Sequence, residues 1–165
     1  MRSRELNATL DQRVREAARQ WYDLASRGEI KTADIFFRFV AAYLACMAIL
    51  TNKYGHLDRD VKRLERFSRE AGDWHKELLQ SAEYRNAVDR LAAKPIYNMQ
   101  TTKPNRPVAD KENLKDILDC TRYVRNNLFH AGKDPGNTRD RSLVEASYTV
   151  VSQLIEPYLE EGEVA

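Results

Sequence analysis

Apolar residues recur along this chain at steps of three and four, and those steps mark out a succession of amphipathic helices. Leu6, Leu10, Val14, Ala17, Trp21 and Leu24 share one helical stripe, with Gly28 just past its end. A second helix is predicted from Thr32 or Asp34, both suited to capping a first turn, to about Lys53 before Gly55. Inside it, Phe39 to Leu50 are twelve uninterrupted apolar residues. Crossing a bilayer takes roughly 18 to 20 such residues. With Arg38 in front, this run is therefore expected to be the central helix, buried on all sides, and not a membrane span. Asp58 is placed to cap a third helix carrying Val61, Leu64 and Phe67, which can continue past Gly72 through Trp74 and Leu78. Ser81 is placed to cap a shorter fourth helix with Tyr84, Val88 and Leu91.

The period then lapses. Residues 94–109 hold Pro95, Pro104 and Pro107 and no apolar repeat, which predicts a long surface loop. Loops beyond about 12 to 15 residues are uncommon unless they are functional or disordered. Asp110 is positioned to cap a fifth helix ending near Gly132, and a last helix runs from about Asp140 beyond Leu154, with Pro157 bending or ending it. No strand-like alternation and no internal repeat is visible. The expected fold is all-α: one domain over 1–165, a bundle of about five to six helices with the long loop before the fifth, and an acidic tail over 156–165.

The fifth helix carries an anomaly. With Leu118 at zero and about 100° per residue, Val124, Ile117, Leu128, Thr121, Leu114, Leu118 and Phe129 fill an arc from about −120° to +20°. Arg125 falls inside that arc, at about −20°. An unpaired charge on a buried stripe costs several kcal/mol, so Arg125 must face a carboxylate partner, a cleft or a subunit interface. Asn126 and His130, at about +80° and +120°, are i,i+4 neighbours on the edge of the same face. His130 also sits in the last turn before Gly132, where the helix dipole favours the imidazolium. Taken singly, a salt-bridged or snorkelling arginine and a capping histidine would account for these two residues.

Composition narrows the class without choosing a function. At 165 residues, 42% hydrophobic and 32% charged, with six Gly and five Pro, the chain is a soluble helical protein rather than a disordered or fibrous one. A net charge of +2 is small for a nucleic-acid binder. Its distribution is more telling. Residues 94–106 contain Lys94, Lys103 and Arg106 and no acid, and residues 122–141 contain Arg122, Arg125, Lys133, Arg139 and Arg141 against Asp134 and Asp140. Cys46 and Cys120 lack metal-ligand spacing and read as reduced core thiols, which suits the cytosol. The first ten residues lack the apolar core of a signal peptide, and a cytoplasmic protein is expected.

The segment Arg125-Asn126-Asn127-Leu128-Phe129-His130 fits an Arg-x4-His pattern with a polar residue after the Arg, and the wider string from Tyr123 to Lys133 resembles bacterial members of the HEPN superfamily. The apolar segment from Asp34 to Leu44 is similar, more loosely, to an early helix of the same proteins. The resemblance implies a helical bundle, a homodimer, and metal-independent cleavage of RNA, as in toxins and phage-defence effectors, with an antitoxin protein as a partner. It equally implies the alternative of a non-catalytic module that binds RNA, nucleotide or a protein partner. Antitoxin-regulated relatives carry a Tyr two residues after the His, where AMP is attached; Gly132 stands in that place, so that form of control is not expected.

The chemistry suits the residues. Metal-free RNA cleavage needs a base for the 2′-hydroxyl, an acid for the leaving 5′-oxygen, and a cation on the phosphate. His130 can transfer protons near neutral pH, and Arg125 can hold two phosphate oxygens in a fixed fork. One chain supplies one such His, whereas two chains on a two-fold axis supply two, and an interface would also explain an Arg on an apolar stripe. Asn126 could orient His130 or touch the phosphate. Arg122 and Lys133, with Lys94, Lys103 and Arg106 of the loop, are candidates for flanking phosphates. His56 and His75 have no partners at ligand spacing, so no metal and no cofactor is expected, and the Trp74–His75 pair reads as a core residue beside a surface one. No Gly-rich phosphate loop or nucleophile elbow occurs.

Overall fold

The computed structural model describes residues 15, 16, 18, 19, 22, 23, 35–98, 103–104, 108–129 and 137–160. Of the predicted first helix, the described residues Arg15, Glu16, Ala18, Arg19, Tyr22 and Asp23 are helical, and Ala18 is buried. Six further helices follow: α1 (Ile35–Lys53), α2 (Asp60–Glu70), α3 (Gly72–Leu78), α4 (Ala82–Ala92), α5 (Leu114–Phe129) and α6 (Thr138–Leu159). Between α4 and α5, β1 (Tyr97–Asn98) and β2 (Lys103–Pro104) form a minimal antiparallel pair, Tyr97 opposite Pro104 and Asn98 opposite Lys103. The chain is all-α, as its periodicity predicts.

The bundle is organised around α6, not α1. Helix α6 packs extensively against both α1 and α4, while α5 lies against α2, α4 and α6. Its buried side chains Val150, Val151, Leu154, Ile155 and Tyr158 thread the core, and Tyr158 meets the Phe67 ring of α2 at 5.9 Å. Helix α1 buries Phe39, Ala42, Tyr43, Cys46, Ile49 and Leu50 but leaves Phe37 and Leu44 46% and 40% exposed, so it is a flanking helix rather than one enclosed on all sides. By length and apolarity it could cross a bilayer. Here its apolar face forms protein core. Both cysteines are buried free thiols, and burial pushes the Cys46 thiol up to about 12, which leaves it protonated and unreactive.

Several helix boundaries differ from the sequence expectation for local reasons. Asp58 does not cap α2; Arg59 occupies that position, and Asp58 pairs with Lys62 instead. The third predicted helix is divided at Ala71 (φ −91°, ψ 5°), although the Ala71 N–H still reaches the Phe67 carbonyl and the His75 N–H the Ala71 carbonyl. The bend carries His75 into the interior. It is fully buried, correcting its reading as a surface residue, with Nδ1 2.8 Å from the Tyr84 hydroxyl and Nε2 2.8 Å from the Lys111 carbonyl. A carbonyl only accepts, so Nε2 donates to Lys111 and Nδ1 accepts from Tyr84.

Asp110 does not cap α5, because it closes a turn by accepting from the Glu112 N–H; Asn113 precedes the helix and accepts from the Lys115 N–H. Asn137 caps α6 by accepting from the Arg139 and Asp140 N–H groups. Pro157 lies within α6 and does not end it. Lacking an N–H, it leaves the Gln153 carbonyl without its helical donor, and the Trp74 indole donates to that oxygen at 3.3 Å. The proline thus opens an acceptor that ties α3 to α6.

Candidate active site

Helix α5 buries Leu114, Ile117, Leu118, Cys120, Thr121, Val124 and Asn127. Cys120 and Asn127 stand at about −160° and 180° on the same wheel, so the buried arc runs from there to Leu118 at zero and is centred about 70° from Arg125. Arg125, in phase between the buried Leu114 and Leu118, is half-buried near one edge of that arc. Its Nη1 donates to Asn126 Oδ1 at 3.0 Å, and its guanidinium carbon lies 5.4 Å from the centre of the Tyr43 ring on α1. The second contact is a cation–π interaction. Both of these partners are neutral: burial drives the Tyr43 phenol above its ordinary pKa, with a small opposing effect of Arg125. The Tyr43 hydroxyl is buried and has no hydrogen-bond partner among the described residues.

The half-buried strip of α5 beside Arg125 carries Arg122, Tyr123 and Asn126. Arg122 is committed to its own helix: Nε lies 3.5 Å from Asp119 Oδ1, and the guanidinium covers the Tyr123 ring at 4.9 Å. Asn126, expected to serve His130 or a phosphate, has its carbonyl oxygen engaged by Arg125, so it acts first to orient the guanidinium. His130, Lys133 and Arg106 lie outside the described residues, as does the side chain of Lys103; Lys94 is exposed.

One residue of the site was not foreseen. Asn127 is 3% exposed, and its Nδ2 donates to the Tyr97 carbonyl at 2.6 Å, which pins β1 to α5. Arg139 Nη2 holds the Pro95 carbonyl at 3.1 Å from the other side. The start of the long loop is therefore fixed against the motif helix, and Tyr97, 59% exposed, projects beside it. A single Asn in a polar pair gave no sequence signal for this, because its partner is a backbone carbonyl 30 residues away.

As a chemical device, the described part is a half-buried guanidinium fork, steadied by an amide and a ring, on a helix flanked by an anchored loop. Such a fork suits two oxygens of one phosphate. No group of His, Cys, Asp or Glu among the described residues is arranged to hold a metal ion. No protein-family model, curated protein or solved structure matches the chain.

Proposed function

We propose that this chain is a metal-independent endoribonuclease of the HEPN type, a cytoplasmic homodimer acting as a toxin or phage-defence effector, with an antitoxin protein as its natural partner. The observation that carries the reading is Arg125, presented at the rim of α5 by Asn126 and Tyr43 and standing five positions ahead of His130 in the Arg-x4-His string. In the mechanism, one His130 takes the proton of the 2′-hydroxyl, whose oxygen attacks phosphorus. The P–O5′ bond breaks, and the second subunit's copy of His130 protonates the leaving 5′-oxygen. Arg125 holds the non-bridging oxygens as charge gathers on them. The products are a 2′,3′-cyclic phosphate and a 5′-hydroxyl. The deciding experiment is incubation of the purified protein with total RNA in EDTA. Fragments with cyclic phosphate ends are expected. Binding without cutting would assign the chain to the non-catalytic class that holds RNA, nucleotide or a protein.

Two consequences can be measured separately. A composite site requires two chains, so light scattering should return about twice 19.1 kDa; a monomer at tens of micromolar would sink the shared cleft while leaving the fold intact. The anchored loop places Tyr97 beside α5, where its ring could stack on a base, with Lys94, Lys103 and Arg106 to follow the phosphates. Replacing those three cations by Ala should weaken RNA binding and lower the slope of affinity against salt by up to about three phosphate contacts. An unchanged slope would remove the loop from the binding surface.

A further inference from the structure

A cavity of about 690 Å³ lies at the far end of α1, between that helix, the turn over 54–59 and α2. Its nearest α1 residue, Lys53, is ten residues beyond Tyr43, or about 15 Å along the helix, so the cavity is separate from the Arg125 rim. Gly55 makes its wall possible: a Cβ there would come 2.8 Å from the Thr51 carbonyl oxygen, and only glycine lets the turn pass so close. That turn presents Tyr54 and Leu57 as an apolar wall, with His56 beside them. At the floor, Lys53 is 8% exposed and paired with Glu70, which also accepts from the Tyr54 hydroxyl, so this charge is already matched.

The rim is different. Lys62, Arg66 and Arg69 follow the i, i+4, i+7 rhythm on one face of α2 and spread three cations over about 10 Å. Lys62 pairs with Asp58 at 3.3 Å and Arg69 with Glu65 at 2.6 Å, both in contact with solvent, where ion pairs are weak and readily exchanged. Arg66 is exposed and forms no ion pair with a described residue, and it interacts only at longer range with Glu70 and Tyr54. Two guanidinium forks and an ammonium in a row match tetrahedral oxyanions better than a single carboxylate, and the volume is that of a small-ligand site.

We infer that this cavity binds a chain of two or more adjacent phosphates, gripped by Arg66, Arg69 and Lys62, with the group that bears them against Tyr54 and Leu57. The phosphates can come from a free oligophosphate or from a nucleic-acid strand, and the site stands independently of the Arg125 chemistry.

Calorimetric titration of the full chain at low salt tests this with three probes: inorganic tripolyphosphate, citrate and a single-stranded 2′-O-methyl RNA dodecamer, which lacks the attacking hydroxyl and cannot be cut by the proposed mechanism. Saturable binding of tripolyphosphate is expected, weakened about tenfold in Arg66→Ala, as loss of one charge-assisted contact would produce. Arg66 is exposed and unpaired with any described acid, so the variant should melt with the wild type. Arg125→Ala should leave tripolyphosphate binding unchanged, whatever it does to RNA cleavage. RNA binding that also weakens in Arg66→Ala assigns the phosphates to a strand; RNA binding indifferent to Arg66, beside tripolyphosphate binding that depends on it, assigns them to a free ligand. The inference is overturned if neither phosphate probe gives saturable heat, if Arg66→Ala binds as tightly as wild type, or if citrate binds as tightly as tripolyphosphate.

Discussion

His130→Ala should abolish RNA cleavage, a loss of about 10²-fold or more, while leaving RNA affinity nearly intact, because a general acid or base acts mainly in the transition state. Arg125→Lys should fail as well, for a different reason. The lysine keeps the charge but cannot reproduce the fork, the hydrogen bond to Asn126 or the planar contact with Tyr43. Binding should therefore survive better than turnover in both variants, and both should fold and dimerise. Chelation should not matter, since the nucleophile is the neighbouring 2′-hydroxyl rather than a metal-bound water. Cleavage that disappears in EDTA, or a His130→Ala protein that cuts at the wild-type rate, would replace this mechanism with the non-catalytic reading.

The second large effect concerns stability. His75 is fully buried and uses both ring nitrogens, so His75→Ala should cost about 2 to 4 kcal/mol, from the cavity and from the lost partners of Tyr84 and Lys111. Its pH signature gives a sharper check. Burial holds the folded imidazole below its ordinary range, with the Lys111 carbonyl, Glu112 and Asp110 opposing only in part. In the unfolded chain the same group titrates near 6.5. Between those two values the unfolded state binds the proton and the folded state does not. Stability is then full above about pH 6.5 and falls as pH drops toward the folded value, by at most about 1.4 kcal/mol per pH unit from this group. Denaturant unfolding at pH 7.5 and 5.5 should show that loss in the wild type and a smaller one in His75→Phe. Equal losses would mean that His75 does not set the acid limb.

Local pattern carried the helices because a 3.6-residue repeat of apolar side chains is a property of neighbours along the chain. The apolar run from Phe39 to Leu50 and the stripe of Tyr84, Val88 and Leu91 each fall in a helix, and between Ala92 and Leu114 the described residues hold no helix, although the short β1–β2 pair there left no mark in the sequence. The chemical anomaly of Arg125 on α5 was also legible, since charge and phase on a helix can both be read from the sequence.

What only the tertiary structure decided depends on partners far apart in the chain. That α6 rather than α1 is the hub follows from which faces find each other, and Phe37 and Leu44 remain exposed because no described element packs over them. His75 looked like a surface residue until Tyr84 and the Lys111 carbonyl, 9 and 36 residues away, satisfied both its nitrogens. Pro157 looked like a helix terminator, but the acceptor it frees is filled from Trp74, 79 residues from Gln153. Asn127 carries no apolar signal of its own, yet it is buried because its amide reaches the Tyr97 carbonyl 30 residues away, which widens the buried face of α5 on the side away from Arg125. In each case the energy of a buried polar group is set by its hydrogen-bond partner, and that partner lies beyond the reach of any local repeat.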